Sequence, residues 1–475
     1  MNVLRARCFA RVLLAALCVL MQSFAVAQSL PSNVRAAFQR AAIPLDAVGI
    51  QVQEVGAHKP LLALNPSQPF NPASTMKLVT STAALELLGP TFTWKTQVYT
   101  TGMQSGDILL GDLVIKGGGD PKLVLENFWL LLRQVRARGI RDIRGNVVLD
   151  RSFFEDSTYD PAKFDGDPLR PYNAGPDALL LNYKAFTFRF LPDAQSNTVK
   201  VATDPPVTGY AVTAPKLGGG DCGDWKQKLA LRIDGNGAEF SGAYPAACGE
   251  KIWHVHPWMM PRTRYFGLVF RHLWQELGGN LRGEAVDGSV PADARLLLQW
   301  ESPTLPEVVR DMNKYSNNVM ARQMFLTLAA QTAQQPGNIE RGRQAVMSWL
   351  ASKKIDAPDL VIENGSGLSR TERIAPATMA RLLATFYQSP LMPEFMSSLP
   401  LAGYDGTMRK RVQQQGVAGN AHIKTGSLNE VRAIAGYVLA ASGKRYAVVC
   451  FINHGNAPRG QEAQDALLQW VYENG

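Results

Sequence analysis

Hydrophobic spacing divides this chain into helix-rich flanks and a β-rich middle. Nearly every position of 74–88 is apolar or small, and the run stops at Gly89-Pro90, so a buried helix is expected there. Positions 93–100 alternate, 108–115 reads as a second strand, 123–138 as a helix and 145–150 as a further strand, which suggests an α+β unit. Residues 186–252 change character. Short alternating runs such as Phe186-Thr187-Phe188-Arg189-Phe190, with turn clusters at 218–220 and 234–237, predict a small all-β insert. An amphipathic helix over 263–277, closed by Gly278-Gly279, returns to the α+β unit, and helical patterns dominate 303–350. Residues 432–440 and 444–452 flank Ala441-Ser442-Gly443 as a hairpin. The last predicted helix, 461–472, carries Glu462 and Asp465 but no lysine or arginine, which favours packing on the core over lying on a membrane.

The first residues read differently. Arg5, Arg7 and Arg11 precede an apolar run over 12–21, and Ala25-Val26-Ala27 supplies small residues for a signal peptidase, so residues 1–27 are expected to be a cleaved export signal. The apolar run is about half of the roughly 20 residues that span a bilayer. Removing that segment leaves 46 basic and 40 acidic residues, a net charge of +6. The basic residues are dispersed, which suits an anionic wall polymer or membrane surface and argues against a nucleic-acid module. The remaining chain is too long for one ordinary core, so two or three domains are expected. Cys222 and Cys248, 26 residues apart in a turn-rich stretch of an exported chain, are expected to form a disulfide. Cys450 lies in an apolar strand pattern and reads as a packed side chain.

Candidate chemistry begins at Ser74-Thr75-Met76-Lys77. A serine and a lysine three apart on a helix share a face, so the amine can reach the hydroxyl. Ser74 opens the helix, where free N–H groups and the helix dipole favour an anion on an attacked carbonyl oxygen. Burial and a second cation would bring the lysine toward neutrality and make it a base. Alone, such a pair arises about once by chance in a chain of this composition. Here it is followed, in order, by Ser316-Asn317-Asn318 and Lys424-Thr425-Gly426-Ser427. The set resembles the active-site trio of penicillin-binding proteins and class A β-lactamases, which implies that Ser316 would relay a proton to the leaving amine and Asn318 would orient Lys77 and the substrate backbone. Lys424 and Thr425 would hold a terminal carboxylate, and Gly426 leaves room for substrate along the strand. The backbone N–H groups of Ser74 and Ser427 would form an oxyanion hole.

The 242 residues between Ser74 and Ser316 are far more than a β-lactamase has. That spacing, with Lys116-Gly117-Gly118-Gly119-Asp120-Pro121, 145–150, 364–370 and 403–408, resembles the D-alanyl-D-alanine carboxypeptidase/endopeptidase family of the penicillin-binding protein 4 type, peptidase family S13. The resemblance implies a multidomain α/β and α+β fold. A penicillin-binding, β-lactamase-like transpeptidase domain (28–87 and 296–475) would carry an inserted α+β domain (88–185 and 253–295), in which a small β domain (186–252) is nested. It implies a serine DD-peptidase acting on peptidoglycan stem peptides through an acyl-enzyme on Ser74, with β-lactams as covalent inhibitors, no cofactor and a periplasmic location. It further implies that Asp150 and Arg370 contact the amine and carboxylate of a diaminopimelate residue, where opposite charges suit a zwitterion.

Other features read as structural. His254-Val255-His256 has two potential ligands at strand spacing but no third, so no metal site is expected. His422 shares a strand face with Lys424 and would either line a cleft or lie at an exposed edge. The glycines at 117–119 lack the lysine and helix start of a phosphate loop and read as a turn. Two alternatives to a peptidase fit the sequence less well. A non-catalytic wall-binding protein would have no need of both lysines. A serine β-lactamase would need a deacylating glutamate, and no Glu-x-x-Leu-Asn lies between Asn318 and Lys424.

Overall fold

The computed structural model describes residues 30–475; the expected export signal lies outside the described residues. The ends of the chain build one antiparallel sheet in the order Ala421–Leu428, Val431–Leu439, Arg445–Asn453, Val48–Glu54, Leu62–Leu64. Its strands are apolar on both faces, and each face is covered by helices. Ala433, Ala435, Tyr437, Ala447, Val449 and Phe451 pack with helices Lys77–Leu88, Leu305–Tyr315, Asn318–Ala333, Ile339–Ser352 and Pro376–Tyr387. The alternate positions Ile434, Val438, Val448, Cys450 and Ile452 pack on Ser32–Arg40 and Gln461–Asn474. The last helix therefore covers the sheet, as its acidic polar face suggested. Cys450 is fully buried, which pushes its thiol up to about 12.

Residues between helix Lys77–Leu88 and helix Leu305–Tyr315 form four further sheets. The largest has the order Ala285–Asp287, Val147–Asp150, Leu113–Lys116, Lys95–Thr100, Arg295–Glu301. The single strand expected over 108–115 is two strands in different sheets. Ile108–Leu110 pairs with Asp142–Ile143, while Leu113–Lys116 pairs with Val147–Asp150. The chain breaks at Gly111, where a Cβ would sit 2.0 Å from the Thr101 carbonyl oxygen. Arg295–Glu301, expected in the catalytic part from 296 onward, pairs instead with Lys95–Thr100. Lys251–Val255 likewise pairs with Phe186–Asp193, carrying the nested β region past 252. Its aromatic strand residues Phe186, Phe188, Phe190, Phe240 and Tyr244 share one core with helices Leu125–Ala137 and Arg262–Glu276. Cys222 and Cys248 are bonded in this region. Among the described residues no helix is long and apolar enough to cross a membrane.

Candidate active site

Ser74 lies in a 3-10 turn, Ala73–Met76, that leads into the α-helix at Lys77. The turn is fixed by two asparagines. Asn71 Oδ1 accepts from Ala73 N and its amide donates to the Ser369 carbonyl, while Asn453 exchanges hydrogen bonds with the Asn71 backbone at 2.7 and 3.0 Å. Two glycines close on the same peptide. A Cβ at Gly426 would stand 2.9 Å from Ser74 N, and one at Gly367, which has φ +80°, would stand 1.8 Å from the Ala73 carbonyl oxygen. Gly367→Ala is therefore expected to displace the nucleophile turn. Thermal denaturation should show a loss of about 1 kcal/mol or more, and serine acylation should fall with it.

Lys77 is 0 % exposed, and its ammonium position is fully used. Nζ lies 3.1 Å from Ser74 Oγ, 2.6 Å from Asn318 Oδ1 and 2.5 Å from the Ser366 carbonyl oxygen. Burial holds its pKa well below that of an ordinary lysine, and the charges of Lys424 and Arg322 push the same way. Lys424, also 0 % exposed, places Nζ 2.8 Å from Ser316 Oγ, and burial lowers it to about 7. Ser316 takes a left-handed conformation, φ +58°, at the corner between helices Leu305–Tyr315 and Asn318–Ala333. Asn317 turns away to cap the second helix by accepting from Met320 N, which explains why this middle position tolerates an asparagine. Thr425 Oγ1 donates to Thr407 Oγ1 at 2.7 Å, and Ser427 is exposed on the same edge strand.

Ser74, Lys77, Ser316, Asn318, Lys424 and Thr425, spread over some 350 positions, thus meet around two serine–lysine contacts. Arg370 stands beside them on the rim. Its guanidinium lies 4.6 Å from the ring centre of Phe164, which packs with Ala73, Leu368 and Leu428.

Asp150 does not join them. It is 2 % exposed, and its two oxygens accept from Ser152 N and Val290 N. Burial by itself would raise its pKa, but these hydrogen bonds and the Lys116 charge hold it below the usual value. The expectation that Asp150 reads a substrate amine is corrected: it terminates a strand and ties down the 288–290 turn. Charged groups from the inserted segment that do face the site include Asp167 and Arg170. They line a cleft of about 1000 Å³ onto which Ser316 and Asn318 open. The two histidines do not share a face either. His254 is exposed and bonded to Thr187, while His256 is buried with Nδ1 against the Lys184 carbonyl oxygen.

Two residues near Lys77 carried no separate sequence signal. Ser366 supplies the carbonyl that contacts it, and Glu372, 0 % exposed, holds that loop by accepting from Glu363, Asn364 and Gly365 N on one oxygen. The other Glu372 oxygen is buried without a partner among the described residues. Burial raises the Glu372 carboxyl, and its charge opposes the loss of Lys77's proton. Such a site can run nucleophilic acyl transfer, with one lysine on the attacking serine and another on the relay serine.

The solved structure of penicillin binding protein 4 from Haemophilus influenzae superposes with a TM-score of 0.79 at 25 % identity, covering 93 % of this chain and 100 % of that one. The same protein complexed with a β-lactam superposes at 0.75. In sequence, D-alanyl-D-alanine carboxypeptidase DacB of Haemophilus influenzae is 27 % identical over 86 % of this chain and 85 % of its own. A D-alanyl-D-alanine carboxypeptidase from Actinomadura is 27 % identical over 88 % and 80 %. The profile of the D-Ala-D-Ala carboxypeptidase 3 family matches residues 30–474, nearly the whole described chain. A serine turn backed by a buried lysine, a second serine–lysine contact and a match of this length mean that the chain belongs to the D-Ala-D-Ala carboxypeptidase 3 (S13) family of serine peptidases.

Proposed function

We propose that Ser74 is the nucleophile of a DD-peptidase that cleaves the bond following a D-alanine in peptidoglycan stem peptides. The observation that carries this reading is the pair of fully buried lysines, one against Ser74 Oγ and the other against Ser316 Oγ. Neutral Lys77 takes the Ser74 proton as Oγ bonds to the D-alanyl carbonyl carbon. The backbone N–H groups of Ser74 and Ser427 receive the oxyanion. As the C–N bond breaks, Ser316 passes a proton to the departing amine and is reprotonated from the lysines. Water then hydrolyses the ester. Asn318 holds Lys77 and the substrate backbone, Gly426 lets that backbone approach, and Lys424 with Thr425 binds the terminal carboxylate of the leaving residue.

Both a terminal D-alanine and a cross-linked diaminopimelate can leave by this route, so endopeptidase action on cross-links is part of the proposal. Arg370, exposed on the rim, is proposed to meet a carboxylate of the diaminopimelate residue. A β-lactam, with a carboxylate and a strained amide in the same relation, acylates Ser74 and stays: no Glu-x-x-Leu-Asn lies between Asn318 and Lys424, and the opened ring, unlike a departing amine, remains attached to the acyl group. A periplasmic location, supported by the export signal expected over residues 1–27, is part of the proposal. Purified protein should release free D-alanine from pentapeptides and monomers from cross-linked dimers, and intact-mass analysis should show one persistent penicilloyl group. Rapid steady-state hydrolysis of nitrocefin would instead identify a β-lactamase.

A further inference from the structure

The cleft that reaches Ser316 and Asn318 is far larger than the reaction needs. At about 1000 Å³ it lies at the upper end of small-ligand sites, whereas of the groups that handle the scissile bond Ser316 and Asn318 line it. Another wall comes from the nested β region: Trp253 and His254 on strand Lys251–Val255, Asp204 at the end of Thr198–Asp204, and Asp224, Lys226 and Gln227 around the turn Trp225–Lys228. Nothing in the acyl-transfer chemistry uses these residues.

Their composition is specific. Trp253 is half-buried and held by Trp225 and Phe240, with ring centres 6.0 and 5.9 Å away. The Lys226 ammonium lies 5.6 Å from the centres of both indoles. Beside this ring in the cleft wall stand the exposed carboxylate of Asp224, amide of Gln227 and ammonium of Lys226, with Gln227 donating to Asp224 at 2.8 Å, while His254, the next residue on the strand, lies on the opposite sheet face and bonds Thr187 at 2.9 Å. A rigid indole bordered by short polar groups of both hydrogen-bonding senses suits a pyranose, which offers an apolar C–H face and a rim of hydroxyls.

We propose that this wall is a subsite for the N-acetylated amino sugars of the glycan strand that carries the stem peptide. The proposal rests on the peptidase reading and extends it. The sugar's C–H face lies on Trp253, while Asp224, Gln227 and Lys226 meet its hydroxyl and acetamide groups, so the enzyme engages a stem still attached to glycan through both ends of the cleft. Each end then adds to the other's binding because one ligand spans both.

The test compares kcat/KM for a disaccharide-pentapeptide and the same pentapeptide without sugars. The unsubstituted protein should prefer the disaccharide form by about tenfold, the worth of one aromatic contact and its neighbouring hydrogen bonds. Trp253→Ala should erase that preference and leave the sugar-free peptide and the rate of penicillin capture unchanged. Lys226→Ala, an exposed position that leaves the aromatic cluster in place, should reduce the preference severalfold and guards against misfolding of the Trp253 variant. Equal kcat/KM for the two substrates, a preference that survives both substitutions, or an equal loss on both substrates would overturn the subsite. Absence of penicillin capture by the unsubstituted protein would remove the peptidase reading itself.

Discussion

Ser74→Ala is expected to abolish covalent capture of labelled penicillin and to lower D-Ala-D-Ala hydrolysis by on the order of a millionfold, the scale on which serine enzymes lose turnover without their nucleophile. The hydroxyl is the one oxygen within reach of Lys77 Nζ that can form an ester; the amine's other partners are an amide oxygen and a backbone carbonyl. The fold should survive, because the turn is held by Asn71, Asn453 and the glycine contacts rather than by the Ser74 side chain. Equal labelling of the variant and the unsubstituted protein would sink the assignment of Ser74.

Lys77→Arg should be the next most damaging, costing about 10²- to 10⁴-fold in acylation, because a guanidinium keeps the charge but cannot accept the proton. The pH profile of kcat/KM tests the same point. Lys77 acts as a base only when neutral, so the rate rises with pH through its lowered pKa and levels off well before an ordinary lysine would titrate. Lys424 holds the substrate carboxylate only when charged, so the rate falls as pH passes its value of about 7. Raising the pH thus activates one lysine and discharges the other, and the product is a bell whose descending limb follows Lys424 at about 7. A substrate with its terminal carboxylate amidated should lose the descending limb. A rate still climbing at pH 10 would show that Lys77 is not the base.

Much of the site was legible because its parts are short and local. Lys77 follows Ser74 by one helical turn, and Asn318 follows Ser316 within a single corner, so backbone geometry alone puts each pair on one side. The hairpin and the covering helix at the C-terminus were likewise set by alternation and by which residues carry charge. The errors arose where pairing partners are distant. The pattern of 108–115 cannot show that Gly111 breaks the strand, since the break depends on Thr101 closing over it. Asp150 at a strand end looks like a free carboxylate, and only the 288–290 turn, some 140 residues later, consumes it.

Glu372 gives the clearest division. In the run Ser369-Arg370-Thr371-Glu372-Arg373 it has the local chemistry of a solvated loop, yet it is wholly buried and holds the backbone that touches Lys77. The sequence by itself determined which residues are candidates for nucleophile, base and relay, and that a long insertion separates them, because motif order and helical spacing are properties of the chain. Tertiary structure alone decided which charges lose their water. Desolvation depends on what distant segments bring alongside a side chain, and it makes Lys77 a candidate base, Lys424 a titrating cation, and Asp150 a structural carboxylate rather than a substrate contact.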